Sequence, residues 1–171
     1  MIKDFNTLKS LKNISSFQHS IIRSIEDLLN RIDLDQLHEK SFIEITEKYI
    51  AISLLHVKDN DTIITINILR ERVSLWYSEC ELKFNKDPDI ISNFDLPVDQ
   101  FHLTLENCLK GNYYADDYYY KKKRLFSVMH LGGVERTQTV IINIFYKFYV
   151  WFYKSEITFK RDNYLAFFSH N

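Results

Sequence analysis

Apolar positions along the chain change period twice, and the changes divide it into elements. Phe17, Ile21, Ile25, Leu28 and Ile32 recur at helical spacing, with Arg23, Glu26, Asp27 and Arg31 between them. That is the apolar stripe of an amphipathic helix. Ser15 precedes it and Gln18 follows three residues later, the arrangement of a capping box. The helix is expected to end between Asp33 and His38, and residues 1–14 to be loosely ordered or a short helix. From Thr62 the period becomes two: Ile64, Ile66 and Ile68 alternate with Thr65 and Asn67, then Val73, Leu75 and Tyr77 with Ser74 and Trp76. Period two with β-branched and aromatic residues predicts strands. Lys58-Asp59-Asn60-Asp61 predicts a turn between strands over 50–57 and 62–69, and Arg70-Glu71-Arg72 a tight turn after them. Residues 42–85 therefore read as an antiparallel meander of three or four strands.

Asp87-Pro88-Asp89 breaks that pattern. A second helix is expected from Asp95 or Leu96, with Pro97 in its first turn, where a missing N–H costs little. Val98, Phe101, Leu105, Cys108 and Leu109 would share its inner face, and Gly111 would end it in the left-handed conformation. A strand over 113–120, a basic turn at 121–123 and a return strand over 125–129 follow. Gly132-Gly133 marks another turn, and 139–153 and 156–159 read as further strands. This order predicts an α+β fold with two main helices packed on one face of a mostly antiparallel β-sheet, meander plus hairpin. No linker, repeat or low-complexity segment interrupts it, so residues 1–171 read as a single domain.

Composition narrows the function classes. A chain of 171 residues, 46% hydrophobic and 26% charged, can bury one core without disulfides or metals. The formal net charge of −1 provides no global field for nucleic acid or acidic membranes, and neither is expected as a partner. Cys80 and Cys108 match no zinc spacing, and each reads as a core thiol. Met1-Ile2-Lys3-Asp4-Phe5-Asn6 lacks the apolar stretch of a signal peptide, so a cytoplasmic location is expected. The longest apolar run, over 140–153, carries Asn143 and Lys147 and falls short of the about 20 residues that span a bilayer. It reads as a buried strand, or as a surface covered on association.

No catalytic motif emerges. His102 and Glu106 lie four apart on the second helix, a spacing that can hold a metal, but also that of an exposed helical pair. His56 with Asp59 and Asp61 is either a ligand cluster or a solvated turn. Glu79 and Glu81 are either paired carboxylates for acid–base work or charges guarding a sheet edge. Ser16 with His19, and Ser127 with His130, lack an acid and an elbow glycine. Gly132-Gly133 lacks the following Lys-Ser/Thr of a phosphate loop. No metal, cofactor or catalytic residue is assigned.

The densest chemistry is Tyr113-Tyr114-Ala115-Asp116-Asp117-Tyr118-Tyr119-Tyr120-Lys121-Lys122-Lys123-Arg124, with five of the 11 tyrosines in eight residues. Tyr and Arg are the residues of protein interfaces, and the embedded acids disfavour a nucleic-acid patch. The expected partner-binding residues are Tyr113, Tyr114, Asp116, Asp117, Tyr118, Tyr120, Lys122 and Arg124, with Glu79 and Glu81 as an acidic edge. Only the exposed face of such a hairpin can serve a partner.

The stretches Tyr49-Ile50-Ala51-Ile52-Ser53-Leu54-Leu55, Asp61-Thr62-Ile63-Ile64-Thr65-Ile66-Asn67 and Val73-Ser74-Leu75-Trp76-Tyr77 lead to Leu109-Lys110-Gly111-Asn112-Tyr113-Tyr114 and Tyr118-Tyr119-Tyr120-Lys121. Over residues 42–124 this resembles the small α+β immunity proteins of bacterial polymorphic-toxin and contact-dependent systems. The resemblance implies a cytoplasmic, non-enzymatic inhibitor that binds and masks a cognate toxin domain. It carries over no specific functional residue. Two other readings stay open: a small metal-dependent hydrolase or nuclease using the histidine sets, and a chaperone-like or scaffold homodimer joined through the aromatic C-terminal segment.

Overall fold

The first helix begins where its capping box requires. In the computed structural model, which describes residues 5–77, 80–85, 95–131, 138–141 and 145–168, α1 spans Ser16–Asn30. Ser15 Oγ accepts from the Gln18 N–H at 3.1 Å, and Gln18 Oε1 accepts from the Ser15 N–H at 2.8 Å. The same two side chains donate to Arg70 O and Ile68 O, which fixes the helix start against the sheet. Phe17, Ile21, Ile25, Leu28 and, just past the helix, Ile32 are all buried. The Asp87-Pro88-Asp89 break, the Gly132-Gly133 turn and Glu79 lie outside the described residues.

The meander has five strands. β1 (Phe42–Ile45), β2 (Tyr49–His56), β3 (Asp59–Leu69), β4 (Arg72–Tyr77) and β5 (Cys80–Asn85) pair antiparallel in chain order. The register explains the core. Ile50, Ile52 and Leu54 stand opposite Ile68, Ile66 and Ile64, which stand opposite Val73, Leu75 and Tyr77. Val73 and Leu75 then face Phe84 and Leu82. All of these are buried, so one sheet face is a continuous apolar surface. Each fully buried Ile or Leu contributes about 1.5–3 kcal/mol relative to an exposed one. Ser53, Thr65, Asn67, Ser74 and Trp76 take the alternate positions.

Two expectations shift at the second helix. Asp95–Pro97 forms a short strand, β6, parallel to β5, and α2 begins only at Gln100 and ends at Leu109. Pro97 closes an edge strand, where a missing N–H leaves no ladder bond unmade. Phe101, Leu105, Cys108 and Leu109 are buried, with Phe101 edge-on to Phe84 at 5.2 Å. Gly111 ends the helix at φ +68, as its position predicts.

The tyrosine hairpin does not extend the meander. β7 (Tyr113–Tyr120) and β8 (Lys123–Leu131) lie in a second sheet of order β10-β7-β8-β9, flanked by β9 (Gln138–Ile141) and β10 (Thr158–Asn163). Tyr113, Ala115 and Met129 join the common core with Tyr77 and Phe167. The Tyr113 ring sits edge-on to Tyr77 and stacks on Tyr164 at 4.7 Å. Among the described residues, the strand expected over 139–153 is realised at β9. Tyr146–Tyr153 is a helix, α3, whose Phe148, Trp151 and Phe152 face solvent. Its apolar residues are consecutive rather than alternating, and a one-faced strand would need alternation.

Candidate functional site

The outer face of the second sheet is ordered into three rows by strand register. Tyr118 of β7 lies between Phe126 of β8 and Phe159 of β10. Asp116 lies between Val128 and Arg161, and Tyr114 between His130 and Asn163. The rings follow the rows. Tyr118 stacks on Phe126 at 4.5 Å and 9°, with Phe159 on its other side at 6.1 Å. Tyr114 stacks on His130 at 4.5 Å, and the Arg161 guanidinium lies 4.0 Å over Tyr114. Phe159 is 63% exposed, while Tyr114, Tyr118, Phe126 and His130 are half-buried.

Arg161 is held in this position by charge. Its Nε and Nη2 donate to the two Asp116 oxygens at 2.7 and 2.8 Å, a bidentate pair, and His130 Nε2 lies 3.3 Å from the same carboxylate. The Arg161 bond, with His130 assisting, holds the Asp116 carboxyl below the usual range against its own burial. The reciprocal bond raises the Arg161 guanidinium. Asp116 is thus screened by one layer of side chains and acts as the anchor of an exposed cation. A bidentate pair over a tyrosine ring is rigid, and rigid groups lose little entropy when a partner covers them.

Asp117 points to the opposite face and is equally hidden. It accepts from Ser127 Oγ, from Tyr119 Oη at 3.2 Å and from Arg124 Nη1 at 3.3 Å. Burial, reinforced by Asp117, raises the Tyr119 hydroxyl. The Ser127 and His130 noted in the sequence are therefore divided between two faces, each bound to its own aspartate. At the hairpin tip Lys121 and Lys122 have φ of 45 and 67, with Tyr120 paired to Lys123, a two-residue turn of mirror-image geometry.

The structure thus sorts the residues expected to bind a partner. Tyr114 and Tyr118 lie on the outer face. Asp116 lies beneath it, and Lys122 is exposed at the tip. Tyr113 and Tyr120 turn inward, the first into the core and the second against Tyr153 at 4.6 Å. Asp117 and Arg124 pair on the inner side. Glu81 belongs to the first sheet and pairs with Lys83 at 3.3 Å, while Glu79 is outside the described residues. Phe126, His130, Phe159 and Arg161 complete the outer face; in the sequence His130 was weighed only beside Ser127, and the other three were not singled out. Pairing across the two-residue turn could have found Phe126 and His130. No local signal announces Phe159 and Arg161, which come from a strand far along the chain.

No family model, curated protein or solved structure matches the chain.

The histidine sets have other partners. His56 is buried rather than in a solvated turn: Nε2 donates to Ala166 O at 3.2 Å, and Nδ1 accepts from the Lys58 N–H at 3.1 Å. His102 Nδ1 bonds Ser24 O, and Glu106 pairs with Lys110 at 2.8 Å. Among the described residues no three His, Cys, Asp or Glu side chains converge as a metal site. A shallow cleft of about 730 Å³ lies beside the turns at Glu47-Lys48 and Arg70-Glu71, away from every one of these sets. Burial lowers the His56 pKa below its ordinary 6.5. The unfolded chain therefore binds the proton more readily, and the stabilisation from neutral His56 is complete above 6.5 and is lost as pH falls from there through the lowered folded-state value. Denaturant midpoints should drop on acidification through this window, and His56→Gln should flatten that part of the profile. An unchanged profile in the variant would assign the drop to another group.

Proposed function

We propose that the protein is a non-catalytic, cytoplasmic protein-binding module, and, in the sense of its resemblance, an immunity protein that neutralises a toxin domain by direct binding. The outer face of the second sheet would be the contact surface. One observation carries this reading: the row Phe126–Tyr118–Phe159, stacked and partly exposed, beside an Arg161 fixed by Asp116. Aromatic rings and arginine held on a rigid sheet supply large contact area with little ordering cost. The neighbouring charges would set approach and orientation more than affinity. Among the described residues no helix is long and apolar enough to cross a membrane.

The test is affinity capture from source cells with the tagged chain, followed by titration of the captured protein. Tyr118→Ala with Phe159→Ala should weaken that binding by roughly 30- to 1000-fold, since central aromatic anchors each contribute about 1–2 kcal/mol. The unfolding midpoint should move little, because both rings lie outside the core. Unchanged affinity in the double variant, with the fold intact, would remove this face as the binding surface.

A further inference from the structure

The net charge of −1 conceals a division of the chain. Residues 1–112 hold 13 Lys and Arg against 18 Asp and Glu, a balance of −5, whereas residues 113–171 hold nine against five, a balance of +4. Within the basic half, Asp116 and Asp117 are buried and matched by Arg161 and Arg124. Asp162 is matched by Lys160 at 2.6 Å. Lys121, Lys122, Lys123, Lys147 and Lys154 all remain exposed.

Lys147 lies on the most exposed apolar element described, α3, Lys154 follows it, and Lys121–Lys123 lie near its end. On α3, Phe148, Trp151 and Phe152 are 61%, 76% and 62% exposed, with Phe145 just before them also in solvent. The contact of Tyr153 with Tyr120 places the end of α3 beside the hairpin tip. The tip is strained: two lysines occupy left-handed positions that Asn-Gly would fill without penalty. Local strain that presents two cations outward marks a surface in use.

We propose that α3 and the tip Lys121–Lys123 form a peripheral docking element for an anionic phospholipid bilayer. Trp, Tyr and Phe beside Lys is the composition of the membrane–water interface, where rings enter the headgroup boundary and ammonium groups meet lipid phosphates. Clustered lysines next to such an element add electrostatic attraction to anionic lipids. Nucleic acid would be served by rings lying flat on a sheet, whereas Phe148, Trp151 and Phe152 stand three and four residues apart on one face of a helix. A second copy fits less well. A two-fold pairing of α3 would set Lys121–Lys123, Lys147 and Lys154 against their own duplicates, with Glu156 as the nearby acid. The edge strand β10, with Lys160, Arg161 and Asp162, is guarded against strand pairing. This inference is independent of the partner-binding face.

Co-sedimentation of the full chain with phosphatidylcholine vesicles carrying phosphatidylglycerol, against pure phosphatidylcholine, tests it. Binding to the anionic vesicles should be at least about tenfold tighter and should weaken with salt. Lys121→Asn with Lys122→Gly should reduce it by roughly 30-fold while raising the unfolding midpoint, because the new turn relieves the strain. Trp151→Ala with Phe152→Ala should also reduce it. Equal binding to both vesicle types, none to either, or wild-type binding by the turn variant would overturn the proposal. So would a dimer in solution that the Trp151/Phe152 variant dissolves, or saturable oligonucleotide binding, if the vesicles are left unbound.

Discussion

Replacing Phe167 by Ala is expected to lower the unfolding free energy by about 3–5 kcal/mol, read as a shift of the urea midpoint at constant slope. Phe167 is fully buried and lies edge-on to the His56 ring at 5.3 Å. Its N–H donates to Leu109 O at 2.8 Å, and its carbonyl accepts from the Asp33 N–H at 3.0 Å. One residue near the end of the chain therefore joins the end of α2, the turn after α1 and the last residue of β2. The ring is far from solvent, so its removal leaves a cavity that the backbone bonds on either side prevent from closing. The variant should also lose part of the pH dependence assigned to His56, since water reaching that ring relieves the burial that lowers its pKa. A loss below about 1.5 kcal/mol would show that the segment repacks and is not the fastening described.

Gly111→Ala should be the next largest effect, about 2–3 kcal/mol. At φ +68 an L side chain is strained, and a Cβ there would lie 2.8 Å from Tyr164 O and 3.1 Å from Ala166 N. Both contacts are backbone, so neither can rotate away. Gly111→Asn separates the two causes, because Asn tolerates the left-handed region but still carries the Cβ. Asn as harmful as Ala would assign the loss to the close approach of residues 164–166. Asn near wild type would assign it to φ alone. Because Gly111 turns the chain from α2 into β7, either variant should also disturb the aromatic face, visible as broadened ring resonances of Tyr114 and Tyr118.

Much of the fold was legible because its signals are local. The capping box at Ser15 and Gln18, the stripe from Phe17 to Ile32 and the alternation from Ile64 to Tyr77 act within a few residues. All three are buried or bonded as read, although the helix ends at Asn30, short of the expected Asp33, and leaves Ile32 just beyond it. Gly111 needed only its place after Leu109. Errors arose where local signals conflicted. Pro97 suits a first helical turn and an edge strand equally, and pairing with β5 chose the strand. Residues 146–153 carry strand-favouring aromatics without alternation, and they form a helix.

The candidate site divides the same way. By itself the sequence determined that a tyrosine-rich hairpin with a basic tip leaves a capped helix, because strand alternation, turn chemistry and helix ending are each set by neighbours in the chain. It also held the charge division, although the total of −1 hid it. Only the tertiary structure decided which tyrosines face outward. That choice follows from the burial of Tyr113 against Tyr77 and from the docking of β10 beside β7, which brings Phe159 and Arg161 to Tyr118 and Asp116. Such pairings join residues far apart in the chain, and their free energy comes from packing and desolvation that no local pattern encodes.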